Sequence, residues 1–133
     1  MSGQSILIVE DDPGSAMAFE AMLTSQGYTV RVVGDTETGW HEIDRDMPTI
    51  ALVDLHLPLA DGVEFLQRLR SRGILARLPV ALMTGDYLID DRVTDELQAL
   101  GISLHFKPLW EEDVLQIVQS LLTRRENCPA AAR

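Results

Sequence analysis

The chain has 133 residues, the length of one domain built on a single core. It carries 21 Asp and Glu against 11 Lys and Arg, a formal net charge of −10, which argues against a nucleic-acid surface with its concentrated positive face. Apolar residues are 46 % and charged residues 24 %, a globular balance, and no apolar run approaches the roughly 18 residues of a bilayer span.

In chain order, short apolar runs alternate with helix-like segments. Ile6–Val9, Ile50–Val53 and Val80–Met83 are uninterrupted apolar runs, as in strands covered on both faces. Tyr28–Val33 and Ile102–Phe106 are mixed but rich in β-branched and aromatic residues. The expected strands are 5–10, 28–33, 49–54, 79–84 and 102–106. Asp12 is placed to cap the first helix with Pro13 behind it, and Gly27 to end it. Asp35 is expected to cap a second helix with Trp40, Ile43 and Met47 inward and Pro48 beyond it. Asp61 is expected to cap a third, running to Gly73 with Phe65, Leu66 and Leu69 buried. A fourth shows Ile89, Val93, Leu97 and Leu100 before Gly101. The fifth carries Val114, Ile117, Val118, Leu121 and Leu122 on one helical stripe. Strict β-α alternation implies a parallel, doubly wound α/β sheet with helices on both faces.

The expected boundaries are a domain over residues 1–123 and a short flexible tail over 124–133, too short for an output domain. Cys128 in that tail has no internal disulfide partner, and Met1–Gln4 carries no positive charge of the kind that opens a leader. A cytoplasmic location is expected. Trp40 and Trp110 read as packing residues, and His41 as a solvated helix residue. His56 and Asp86 flank the mouth of a pocket by sequence.

Ligands of open parallel sheets bind beyond the carboxyl ends of the strands. There the first strand delivers Glu10-Asp11-Asp12, the third Asp54, the fourth Thr84 and the fifth Lys107-Pro108. Several carboxylates converging on one edge repel one another without a counter-ion. A hard cation such as Mg²⁺, which takes one or two carboxylates and keeps several waters, relieves that repulsion; a helix cap alone accounts for Asp12. Asp54, at the end of a central strand, is placed as a nucleophile toward phosphorus. Thr84 offers a hydroxyl to a phosphoryl oxygen, Gly85 leaves an approach route, and Lys107 is a point charge for phosphate or for Asp54 itself.

The segments ILIVEDDP at 6–13, ALVDLHLPLADG at 51–62, ALMTGD at 81–86 and HFKP at 105–108 resemble, in order and spacing, the receiver domain of bacterial two-component response regulators. The resemblance covers about residues 4–123. It implies a flavodoxin-like fold with strand order 2-1-3-4-5, and a phosphoryl group passed from a sensor histidine kinase or phosphotransfer protein to Asp54. It also implies Mg²⁺ (or Mn²⁺) at the acid pair Glu10 and Asp11, held by Asp11, Asp54 and the backbone carbonyl of His56. Thr84 and Lys107 match the switch hydroxyl and the phosphate-pairing lysine, with a cis bond from Lys107 to Pro108. A downstream effector or a homodimer through helix four, strand five and helix five is the implied output, with neither nucleic acid nor membrane as partner. The domain is then a phosphoacceptor rather than an enzyme acting on a separate substrate. One position departs: Leu104 stands where relatives carry the switch aromatic, which points to a shallow conformational response.

Two other classes fit less well. An aspartate-nucleophile phosphohydrolase of the haloacid-dehalogenase kind wants a second aspartate two positions after Asp54, where His56 stands, and usually a cap domain. A flavodoxin-like nucleotide binder needs an anion cradle after the first strand, where Glu10-Asp11-Asp12 would repel phosphate.

Overall fold

A computed structural model describes residues 4–54, 59–85 and 91–126. Five strands, β1 (Ser5–Glu10), β2 (Thr29–Val33), β3 (Ile50–Asp54), β4 (Val80–Thr84) and β5 (Ser103–Phe106), alternate with five helices. The helices are α1 (Pro13–Ser25), α2 (Thr36–Arg45), α3 (Leu59–Ser71), α4 (Asp91–Ala99) and α5 (Glu111–Glu126), with a 3-10 turn at Ile74–Ala76. All strand pairs are parallel, in the order β2-β1-β3-β4-β5.

The apolar runs become strands because each is covered on both sides. Along β1, alternate residues feed two separate cores. Leu7 and Val9 join Trp40, Phe65, Leu66, Leu69 and Leu97 beneath α2, α3 and α4. Ile6 and Ile8 join Leu23, Val114, Val118 and Leu121 beneath α1 and α5. Gly39 lets α2 lie close on β1, since a Cβ there would stand 3.1 Å from a Val9 methyl.

The helix ends follow the local chemistry. Asp12 caps α1 by accepting from the Ser15 N–H at 2.8 Å, and Asp35 caps α2 by accepting from the Thr38 N–H at 2.7 Å. Gly27, Gly73 and Gly101 adopt φ of 94°, 72° and 77°, the left-handed region a side chain disfavours. Three expectations need correction. Helix α3 begins at Leu59, so Asp61 lies inside its first turn instead of capping it. Helix α5 runs to Glu126, into the segment read as a tail and past Leu122, the last buried residue of its apolar stripe. Trp110 is 71 % exposed and does not pack, since it sits in the β5–α5 connection ahead of that stripe; Trp40 is buried as expected. Ile89 and Cys128 lie outside the described residues.

Candidate functional site

The parallel register decides which side chains meet. Glu10 at the end of β1 stands opposite Asp54 at the end of β3, and both are only 2 % exposed. On the other side of β3, Thr84 closes β4 and is also buried. Beyond β5, the Lys107 N–H donates to the Thr84 carbonyl oxygen at 2.8 Å. That bond anchors the lysine backbone to the end of β4. Its ammonium reaches across to form an ion pair with Asp54 Oδ1. The Lys107–Pro108 peptide bond is cis.

Two acids buried side by side against one lysine leave negative charge in excess. Burial, then a side-chain hydrogen bond with Asp54, pushes the Glu10 carboxyl from 4.5 up to about 8. The Asp12 N–H donates to Glu10 Oε2 at 3.0 Å and works in the opposite direction. So does the charge of Lys107. Asp11 follows on the β1–α1 connection, half-buried. Among the described residues, no three His, Cys, Asp or Glu side chains are grouped to hold a metal ion. A Mg²⁺ site does not need three, since one or two carboxylates with waters suffice. The donors at this edge are hard carboxylate oxygens from neighbouring strand ends, and they fit such a cation.

Of the residues singled out in the sequence, Glu10, Asp54, Thr84 and Lys107 meet at this one edge. Gly85 follows Thr84 and is exposed, with nothing within 4 Å of where a Cβ would stand. His56 and Asp86 lie outside the described residues. Leu104 packs partly buried against the α2–α4 core, in register with Leu82. His41 is exposed on α2, 3.7 Å from Glu37. Two features went unread in the sequence: Phe106, 42 % exposed and in register with Thr84, and His105, which faces α5. The alternation Ser103-Leu104-His105-Phe106 carried that information, because successive strand residues point to opposite faces.

The family described as "Response regulator receiver domain" matches residues 6–124. The response regulator Rre1 of Synechocystis sp. is 28 % identical over 123 residues, covering 92 % of this chain and 53 % of that protein. The chain thus spans about half the length of curated relatives such as this one. Among solved structures, a CheY-like receiver domain protein of Methanospirillum hungatei superposes with a TM-score of 0.81 at 24 % identity, covering 94 % of this chain and 98 % of that one. The receiver domain of the Pseudomonas aeruginosa sensor histidine kinase PA1611, solved with magnesium coordinated in its active-site cleft, gives 0.76 at 30 % identity, with 92 % and 99 % covered. Matching nearly its whole length to this family in sequence and in strand order, the chain belongs to the response regulator receiver domains, the signalling domains of two-component systems.

Proposed function

We propose that Asp54 accepts a phosphoryl group from a histidine kinase or phosphotransfer protein, and that this modification switches partner binding or self-association. The observation that carries the reading is Asp54 itself, buried at the end of β3 between Glu10 and the Lys107 ammonium. An Asp54 carboxylate oxygen forms the O–P bond as the N–P bond of a phosphohistidine breaks, and the electron pair returns to the imidazole nitrogen. Lys107 neutralises charge on the incoming group, and the Thr84 hydroxyl donates to a phosphoryl oxygen. Asp11, Asp54 and the His56 carbonyl would hold Mg²⁺ or Mn²⁺ beside Glu10, and the bound cation supplies further positive charge against the phosphoryl oxygens.

His56, two positions after Asp54, supports the phosphoacceptor over a phosphohydrolase, which needs an acid there. We take residues 1–123 as the receiver, acting in the cytoplasm, with the last residues of α5, which runs to Glu126, and those after it as an appendage. Among the described residues no helix is long and apolar enough to cross a membrane. Incubation with acetyl phosphate and Mg²⁺, followed by mass spectrometry, tests the assignment. Wild type should gain one phosphoryl group on Asp54, and Asp54→Asn should gain none. A label elsewhere in the wild-type chain refutes it.

A further inference from the structure

The amino edge of the sheet, opposite Asp54, carries a charge that the rest of the chain does not share. Between Phe65 and Gly85 stand Arg68, Arg70, Arg72 and Arg77, with no Asp or Glu among them. The whole chain has only 11 Lys and Arg and a net charge of −10. These arginines occupy the last turn of α3 and the 3-10 turn that leads into β4. The Ala51 N–H donates to the Pro79 carbonyl oxygen at 3.0 Å, which fixes that connection beside the start of β3.

Trp40 of α2 organises the cluster. The Arg68 and Arg72 guanidiniums lie 4.6 and 5.0 Å from the centre of its indole ring. Stacking occupies the flat face of a guanidinium and leaves N–H groups at its edge for a carboxylate. Arg68 directs one of these to Glu37 at 3.1 Å. Arg70 and Arg72 are exposed, and neither side chain forms an ion pair or a hydrogen bond among the described residues. A basic residue in the last turn answers the negative end of the helix dipole, but one is enough for that. Like charges gathered at one helix end repel one another until an anion lies between them.

The surroundings select the anion. At physiological ionic strength charges act over about 8 Å, so attraction is confined to a ligand seated on the patch itself. Beyond it the surface turns acidic, with Asp44 on α2 and Glu96 on α4, where Glu96 accepts from Gln67. A duplex, with one charge per roughly 1.7 Å, overruns the patch onto those acids and is repelled. A short carboxylate-bearing segment stays within it.

We propose that the arginine end of α3 is a docking surface for a short acidic segment of a protein partner, with Arg70 and Arg72 as its carboxylate contacts. The surface uses none of the phosphoacceptor residues, so its failure would leave that assignment untouched.

The full chain, without phosphodonor, is titrated with a blocked peptide alternating glutamate and alanine, and with the same peptide carrying glutamine. Amide and indole NMR shifts report binding. The glutamate peptide should give saturable shifts confined to residues 67–78 and Trp40, and glutamine should weaken affinity about tenfold or more. Arg70→Gln and Arg72→Gln should each cost about two- to fivefold in affinity. Arg72 also covers Trp40, so Arg70→Gln, which leaves the ring contacts in place, separates docking from packing. A single-stranded oligodeoxynucleotide of the same charge should bind more weakly. Equal binding of the glutamine peptide, unchanged affinity in Arg70→Gln, or shifts centred on Arg31, Arg92 or Arg124 would each overturn the proposal. So would tighter binding of the oligodeoxynucleotide.

Discussion

Replacing Glu10 by glutamine should make the metal-free domain markedly more stable at high pH while changing little at low pH. A carboxyl whose folded pKa is raised holds its proton in the native state where the unfolded chain has already released it. Its contribution is therefore fully present below about 4.5 and is lost as pH rises toward about 8. A rise from 4.5 to about 8, at about 1.4 kcal/mol per unit, amounts to at most about 5 kcal/mol. The substituted amide would mimic the protonated acid, with its carbonyl oxygen accepting from the Asp12 N–H and its NH₂ group donating toward Asp54. Wild type and Glu10→Gln should thus be similar near pH 5 and differ by a few kcal/mol near pH 9, the variant being the more stable. Urea unfolding in EDTA at several pH values measures this, and comparing the two chains cancels other titrating groups. Parallel stability curves from pH 5 to 9 would refute the charge excess assigned to this edge.

Asp11→Asn should abolish saturable Mg²⁺ binding followed by tryptophan fluorescence; unchanged binding would remove Asp11 from the ligand set. Lys107→Ala should still take up phosphoryl on Asp54 but lose most of the conformational response, because the charge that moves toward the group is gone. Leu104→Tyr should enlarge that response, read as amide shifts over 91–110 with and without beryllofluoride; large wild-type shifts throughout α4 would contradict a shallow switch. Leu66→Ala should cost about 2–5 kcal/mol in chemical denaturation, since Leu66 is fully enclosed in the α2–α4 core.

Much of the fold was legible because its causes are local. Ile6–Val9, Ile50–Val53 and Val80–Met83 lack any polar residue to face water, so they had to become doubly covered strands. Asp12, Asp35, Gly27 and Gly101 act on the backbone beside them, and their roles did not depend on the rest of the chain. The site residues Glu10, Asp54, Thr84 and Lys107 were legible for a related reason. Each stands at or just past the end of a strand, and parallel strands deliver their ends to one edge. What tertiary structure decided was who meets whom. Whether Trp110 packs depends on where the α5 stripe docks, and an apolar residue in a connection has no period to reveal that. Helix α3 starting ahead of Asp61 and α5 continuing to Glu126 are ends that the local stop and start signals did not indicate. The burial of Glu10 beside Asp54, which raises the Glu10 pKa, exists only because β1 and β3 lie in register within the covered sheet. Distances between elements far apart in sequence are set by packing the whole core, and no single segment encodes them.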